Sequence, residues 1–326
     1  MESHFDLKVG FTCNNNCFHC VVGDKKKICP DDLTFEQIKQ IIDNKVPSEV
    51  TSIVLTGGEV TIRKDFIDIV NYIYDKGYKI ILQTNGSGLI DKNIIKSIKN
   101  KISHVLIAIH SYKKNIHNDI VNNNIDGYSA VIKAMDNLYK NKIYFETQTV
   151  ISSKNINTLH KTYKFIQKRY PDVFMHMTYP HPLGNAYNKN VALKYSDIKH
   201  ELHKCLKNFR HLLVTEAIPF CVLYPYLDVE YNTDYEIINS FYEAHRKGLD
   251  PSNSHNNDNF TMIDKSGYSD NYNLNDLTSK RKGYKCRECV FNKDCAGVWR
   301  EYIEFYGNEL DLYPITESQI ERIINV

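Results

Sequence analysis

The chain alternates short, almost continuously hydrophobic runs with longer amphipathic stretches. The hydrophobic runs are rich in β-branched residues and predict strands over residues 4–11, 50–56, 78–84, 104–110, 143–151 and 173–179. The amphipathic stretches predict helices over residues 34–44, 64–76, 92–99, 128–141 and 156–169. Strands without a polar face are typical of parallel sheets covered by helices on both sides. The pattern therefore predicts an α/β fold with six β/α units.

Composition indicates which kinds of partner and which cellular compartment to expect. The 326 residues include 41 basic and 39 acidic side chains, and this near balance argues against a nucleic-acid-binding face. Small molecules or peptides are the expected partners. No apolar stretch is long enough to cross a membrane, and the N-terminus is unlike a secretory signal. With nine cysteines, these features predict a cytoplasmic protein whose thiols bind metal rather than form disulfides.

Three cysteines lie within eight residues, directly after the first predicted strand. Cys13, Cys17 and Cys20 supply three thiolates, whereas a structural zinc site or an ordinary iron–sulfur cubane takes four protein ligands. Three ligands on a cubane leave one iron open for a small molecule, which indicates chemistry rather than scaffolding. A zinc site completed by His19 is the alternative.

Polar and glycine residues follow the next strands at the edge where parallel β/α folds place their active sites. The second strand is followed by Gly57, Gly58 and Glu59, where two glycines allow close backbone approach and the carboxylate can accept an ammonium group. Asn85 follows the third strand, and His110 with Ser111 follows the fourth. Each could be a turn or a buried polar residue, but their joint occurrence behind the cysteines favours a cofactor site.

The cysteine spacing resembles the Cys-x3-Cys-x2-Cys signature of the radical S-adenosylmethionine (radical SAM) superfamily, including an aromatic residue, Phe18, before the third cysteine. The resemblance implies a [4Fe-4S] cluster on Cys13, Cys17 and Cys20, whose open iron binds S-adenosylmethionine. One electron then cleaves the cosubstrate to a 5′-deoxyadenosyl radical, which abstracts a substrate hydrogen. The six β/α units likewise resemble the partial (β/α)6 TIM-like barrel of these enzymes.

The same resemblance implies roles for the strand ends. Gly57, Gly58 and Glu59 match the Gly-Gly-Glu motif of the family, although Val60 replaces its usual proline. Polar groups near the cosubstrate ribose and carboxylate are implied at Asn85, His110 and Ser111. Contacts with cosubstrate or substrate are implied at Gln148, His181 and Asn185, for which capping or turn roles are the alternative.

A second cysteine set lies late in the chain and comprises Cys221, Cys286, Cys289 and Cys295. Four thiolates complete one cubane, and they equally suit a zinc ion. The spacing resembles the auxiliary-cluster domains called SPASM and twitch. Because no cysteine follows Cys295, the resemblance implies a single auxiliary [4Fe-4S] cluster of twitch type. A fully thiolate-bound cluster has no open iron, so electron transfer is its expected role.

The predicted organisation is a radical SAM barrel over residues 1–180, a connecting segment with a helix over 181–218, and an auxiliary-cluster domain over 219–326. Relatives with auxiliary clusters commonly modify ribosomally made peptides, so we expect a crosslink, epimerisation or oxidation of a peptide. Radical oxidation or rearrangement of a small metabolite, such as an amino sugar or cofactor precursor, is the alternative. A non-enzymatic iron–sulfur electron carrier would not explain Gly57, Gly58 and Glu59.

Two further partners are expected. A flavodoxin- or ferredoxin-type reductant is needed to supply the electron. Because the first strand begins almost at Met1, recognition of any leader peptide is expected to need a separate protein or the barrel itself. Basic runs at residues 25–27 and 280–282 lie near the two cysteine sets. They are either solvated loops or sites for an acidic peptide or phosphorylated substrate.

Overall fold

The computed structural model describes residues 4–123, 126–209, 212–226, 261–263, 269–271, 280–292, 295, 297–307 and 312–319. Within these residues, seven strands form one sheet: β1 (His4–Lys8), β2 (Ser52–Thr56), β3 (Lys79–Thr84), β4 (Ile102–Ala108), β5 (Phe145–Val150), β6 (Met175–Thr178) and β7 (Leu213–Glu216). The strands pair in chain order and every pairing is parallel. The predicted α/β class with a partial barrel is confirmed.

Helices alternate with these strands, and most of them pack buried side chains into the hydrophobic core. They are α1 (Lys25–Ile28), α2 (Phe35–Asn44), α3 (Phe66–Asp75), α4 (Lys92–Ile98), α5 (Lys114–Val121), α6 (Gly127–Lys140), α7 (Leu159–Arg169) and α8 (Tyr195–Phe209). Local chemistry starts several of them. Thr34 and Gln37 form a capping box at α2, while the side chains of Asp91 and Asp126 accept backbone N–H groups at the first turns of α4 and α6.

The strands bury one face against the helices and keep polar side chains on the other. Along β5 the outward residues Phe145, Thr147 and Thr149 are buried, whereas the alternating inward residues, Gln148 among them, are partly accessible. On the helix side, Ile38, Ile41 and Ile42 of α2 enter the hydrophobic core. The inner face of the barrel is therefore available for polar chemistry.

The sheet has one strand more than the sequence predicts. β7 lies in the segment assigned to a connection, and its four residues are too few to give a periodic signal. Helix α5 was also not predicted, because most of its eight residues are polar and only His117, Ile120 and Val121 are buried. No helix among the described residues is long and apolar enough to cross a membrane.

The described C-terminal residues form short elements: α9 (Phe220–Leu223), β8 (Thr261–Ile263), β9 (Ser269–Asn271), β10 (Lys280–Arg281), β11 (Val298–Trp299) and α10 (Arg300–Tyr306). The strands pair antiparallel, β8 with β9 and β10 with β11. Helix α10 docks on the barrel through Tyr302, whose hydroxyl accepts the backbone N–H of Tyr195 at 3.1 Å. The rest of the predicted domain 219–326 lies outside the described residues.

Candidate active site

The first cysteine loop, residues 11–20, follows β1 at the carboxyl edge of the sheet. Cys13, Cys17 and Cys20 are half-buried free thiols on this loop. The backbone N–H of Cys20 donates to the carbonyl of Cys17 at 3.2 Å, and that of Asn15 donates to the Cys13 Sγ at 3.3 Å. The loop therefore curls so that its three thiols are neighbours.

An aspartate from the next connection holds the start of this loop. The Asp32 Oδ1 accepts the backbone N–H groups of Phe11 at 2.9 Å and Thr12 at 3.0 Å. Arg63 pairs with Asp32 and donates to the carbonyl of Val9 at 3.1 Å. Sequence reasoning missed both side chains, because neither has a spacing that relates it to the cysteines.

Helix α5 supports the middle of the loop. The backbone N–H groups of Asn16 and Phe18 donate to the carbonyls of Val121 and Ile120 at 3.0 and 2.8 Å. These carbonyls belong to the last turn of α5, where helical partners are missing. A helix that the sequence does not predict thus positions the cysteines.

The two glycines after β2 bring that strand end against the cysteine loop. The Gly58 N–H donates to the Gly10 carbonyl at 2.8 Å, and the Glu59 N–H donates to the Thr12 carbonyl at 2.9 Å. A Cβ on Gly58 would lie 2.1 Å from the Thr12 oxygen, and one on Gly57 would lie 2.3 Å from the Gly10 oxygen. Glycine is required here because two backbones touch.

Glu59 is buried, with 2% of its surface exposed, and its carboxylate faces the protein. Its oxygens accept the hydroxyls of Thr61 and Thr84 and the backbone N–H groups of Thr61 and Asn85. Burial raises the pKa of Glu59, while these donors counteract the rise. The carboxylate thus ties the ends of β2 and β3 together.

Asn85 lies beside the cysteines at the end of β3. Its Nδ2 lies 3.8 Å from the Cys13 Sγ and donates to the Asn14 Oδ1 at 2.9 Å. Its Oδ1 accepts the hydroxyl and the backbone N–H of Ser87. The third strand end is therefore part of the same site as the first and second.

The fourth strand end lies behind the cysteine loop rather than on an open surface. His110 is 2% exposed, and its ring lies 4.4 Å from that of His19 and 5.7 Å from that of His117. Its backbone N–H donates to the His117 Nδ1 at 3.2 Å. Burial lowers the pKa of His19 and His117 to about 4, so this histidine stack is neutral. Ser111 is fully buried 3.1 Å from the Thr158 hydroxyl.

Gln148 lies on the inner face of the barrel, in a row across three strands. Its Nε2 donates to the Thr178 hydroxyl at 3.2 Å, and that hydroxyl donates to the Glu216 Oε2 at 3.0 Å. These side chains are partly accessible. Gln148 is thus further along the sheet than Asn85 and contacts neither the cysteine loop nor the histidine stack through a described hydrogen bond.

The loop after β6 joins the two cysteine regions. The Asn185 Nδ2 donates to the Cys17 carbonyl at 3.0 Å, and its backbone N–H donates to the Cys20 carbonyl at 2.9 Å. His181, at the other end of the loop, stacks on Trp299 with the ring centroids 3.9 Å apart. Asn185 therefore supports the cysteine loop, and His181 faces the C-terminal residues.

The thiol electrostatics fit a cationic metal group. Burial raises the pKa of Cys13, Cys17 and Cys20, that of Cys17 to about 12, and neighbouring thiols add to the rise at Cys13 and Cys17. Lys26, whose Nζ donates to the Asn15 carbonyl at 2.7 Å, is the nearby cation that opposes the rise. Three crowded thiols become thiolates readily only against added positive charge, such as iron supplies.

The four later cysteines line one pocket. Cys221 is the second residue of α9, Cys286 lies on the 3-10 turn Tyr284–Glu288, Cys289 directly follows that turn, and Cys295 completes the set. Burial and the other three thiols raise the pKa of Cys221 to about 12. Within the described residues, no group of three or more histidine, cysteine or acidic side chains is arranged to hold a single metal ion.

Comparisons with known proteins agree with this geometry. The model of the Radical SAM superfamily matches residues 7–166. The Fe-coproporphyrin III synthase of Methanosarcina barkeri (strain Fusaro / DSM 804) is 25% identical over 187 residues, 56% of this chain and 46% of that protein. The mycofactocin maturase MftC of Mycolicibacterium smegmatis is 27% identical over 128 residues, 39% of this chain and 32% of that protein. The chain spans about half the length of the first curated relatives it matches.

Solved structures share the fold over nearly the whole chain. Native anSMEcpe with bound AdoMet aligns over 100% of this chain and 98% of its own, with a TM-score of 0.61 and 17% identity. Streptococcus suis SuiB bound to precursor peptide SuiA aligns over 97% of this chain and 75% of its own, with a TM-score of 0.63 and 12% identity. At such identities the likeness demonstrates a common fold.

Proposed function

We propose that this chain, whose residues 7–166 match the model of the Radical SAM superfamily, is a radical SAM enzyme that cleaves S-adenosylmethionine reductively and abstracts a substrate hydrogen. When bound to Cys13, Cys17 and Cys20, a [4Fe-4S] cluster supplies the electron for this cleavage. The observation that carries the proposal is the packing of the three-thiol loop against the glycines and Asn85 at the ends of the next two strands.

The chain's own residues organise this site in advance. Asp32 and the last turn of α5 fix the backbone of the cysteine loop, so that little conformational entropy is lost when the thiolates bind iron. Glu59 aligns the ends of β2 and β3 without exposing its carboxylate. We therefore assign Glu59 the role of a positioning residue.

For the cosubstrate, we propose contacts with the accessible groups of this edge. Asn85 is half-buried beside Cys13 and suits the polar part of S-adenosylmethionine, whereas Gly57 and Gly58 contribute by letting the end of β2 pack against the cysteine loop. Gln148 lies on the inner face and suits the cosubstrate or the substrate. His110 and Ser111 are buried, so their proposed influence is exerted through the strand end that carries them.

For the C-terminal region, we propose one auxiliary [4Fe-4S] cluster on Cys221, Cys286, Cys289 and Cys295, in a twitch- or SPASM-like domain spanning residues 219–326. Four thiols in one pocket support it. A zinc ion is the alternative, and iron and zinc analysis distinguishes the two. Four thiolates complete the cluster's coordination, so this pocket transfers electrons rather than binds substrate.

We propose a ribosomally made peptide as the substrate, modified by crosslinking, epimerisation or oxidation in the cytoplasm. The peptide substrate is supported by structural neighbours that were solved with peptides bound, such as SuiB with its precursor peptide SuiA. A small metabolite is the second candidate, because curated relatives include the Fe-coproporphyrin III synthase and probable GTP 3′,8-cyclases. A separate leader-recognition protein and a flavodoxin- or ferredoxin-type reductant are the proposed partners.

The test is mass spectrometry of anaerobically reconstituted, dithionite-reduced protein with S-adenosylmethionine and the short peptides encoded beside its gene. Formation of 5′-deoxyadenosine that is lost in Cys17→Ala and kept in Cys29→Ala supports the chemistry. Its absence in the iron-loaded wild type refutes the chemistry and leaves an electron carrier. A peptide mass change, or deuterium uptake without one, supports peptide modification, whereas 5′-deoxyadenosine beside unaltered peptides favours a small metabolite.

A further inference from the structure

Basic and tyrosine side chains surround the mouth of the four-cysteine pocket. Arg281, Lys282 and Tyr313 line the pocket together with the cysteines. The Lys285 Nζ lies 4.9 Å from the ring centroid of Tyr313 and 5.9 Å from that of Tyr284. We call these five residues the basic–tyrosine surface. Cation–π contacts of this kind hold the two rings and the ammonium group on one continuous face.

The two tyrosines expose more of their surface than the other large hydrophobic side chains described. Tyr284 is 68% exposed and Tyr313 is 72% exposed. Both rings are held near the pocket by Lys285 instead of packing into the core. Exposed aromatic residues beside cations are the composition that is enriched at protein interfaces.

The charge of this surface contrasts with the near neutrality of the chain. Residues 280–288 contain five basic side chains and the single acidic residue Glu288, whereas the whole chain carries a net charge of +2. Within the residues that the structure describes, no acidic side chain forms an ion pair with Lys282, Lys285 or Arg287. The local positive field therefore favours an acidic partner.

We propose that the basic–tyrosine surface docks an acidic protein electron carrier of the flavin or iron–sulfur kind, an inference that rests on the proposed electron-transfer role of the pocket. Four thiolates leave no open iron, so a partner seated at this rim can exchange electrons but cannot be bound by the metal. The four cysteines would hold the iron–sulfur group that takes up one electron from the reduced centre of the carrier. No covalent bond forms or breaks in this step.

Interfaces of electron carriers are small and depend on charge steering, which fits a surface made of five side chains, three of them cationic. The experiment measures association of a purified acidic flavodoxin with the iron-loaded full chain by surface plasmon resonance. The variant is K282E/K285E, and the matched control is K92E/K96E, which reverses two exposed lysines on the outer helix α4. We expect the association rate to fall about tenfold at low salt in the first variant only, and the difference to vanish at high salt.

A second measurement separates docking from catalysis. The K285E variant, whose changed residue does not line the pocket, should form 5′-deoxyadenosine at the wild-type rate with dithionite, whereas reduced flavodoxin should reduce its iron several-fold more slowly than that of wild type. The milder K285Q variant, checked for unchanged iron content, should show a smaller loss in the same direction. If wild type makes no 5′-deoxyadenosine with dithionite, the proposed function fails while flavodoxin binding still tests the surface.

Three outcomes would overturn the docking proposal. The first is unchanged flavodoxin association in the surface variants. The second is loss of binding to an acidic precursor peptide with flavodoxin binding intact, which assigns the surface to substrate. The third is salt-dependent binding of an RNA oligonucleotide that the same charge reversals abolish while flavodoxin binding persists.

Discussion

The neutral histidine stack behind the cysteine loop should make the fold sensitive to acid, and His117 allows a quantitative test. Burial lowers its pKa to about 4 in the folded protein, compared with about 6.5 in an unfolded chain. Between these values the unfolded chain binds more protons than the folded one, so stability is full at neutral pH and is lost as pH falls. Linkage gives a loss of about 2 kcal/mol from this residue between about pH 7 and about pH 5.

The assay is urea unfolding of the full chain at both pH values, followed by far-UV circular dichroism. The pH-dependent part of the unfolding free energy should shrink by about 2 kcal/mol in His117→Gln. It should remain unchanged in the control His200→Gln, because His200 is exposed. Any loss of packing in the His117 variant acts at both pH values and cancels in the difference. An equal pH dependence in His117→Gln and wild type would refute the assignment of a buried neutral imidazole.

Three further predictions concern the cysteine sites. Gly58→Ala should cost about 1–3 kcal/mol and lower iron binding, because its Cβ would lie 2.1 Å from the Thr12 oxygen. Gly77→Ala is strained by its φ of +88° but adds a Cβ with no atom within 4 Å, so it should keep its iron, and equal iron contents in the two variants contradict the prediction. Asp32→Ala should lower the free energy of unfolding by about 2–4 kcal/mol, because two charge-assisted hydrogen bonds are lost. Urea unfolding measures this loss, and Asp32→Asn should show an intermediate value. Unchanged stability would exclude Asp32 as the residue that anchors the cysteine loop. Cys221→Ser should lower the iron content of reconstituted protein from about eight to about four atoms per chain, and a loss of zinc instead would identify a zinc site.

Predictions from local sequence pattern succeeded where the signal is local. The helix α2 depends on apolar spacing and on a capping box, and both involve residues three or four apart. The parallel sheet was predicted from runs of apolar and β-branched residues, although the inner face of strands such as β5 keeps partly accessible polar side chains, Gln148 among them. β7 was missed because its four residues carry too short a pattern.

The candidate site divides in the same way. The spacing of Cys13, Cys17 and Cys20 is enough to predict that they act together. The two glycines after β2 can also be recognised from the sequence, as positions where the backbone can be approached closely. The residues that hold the cysteine loop in place cannot be predicted from the sequence. Asp32 and α5 approach it only when segments some 20 to 100 residues apart pack together.

Glu59 illustrates the difference most directly. The sequence by itself determined that a carboxylate follows two glycines at a strand end, together with two cysteine sets and an α/β fold. Only the tertiary structure decided that this carboxylate turns inward, toward donors on β3 and its own loop, and that the four later thiols share one pocket. The physical reason is that residue type and spacing define which groups are available, whereas burial and the direction of each side chain depend on contacts between distant parts of the chain.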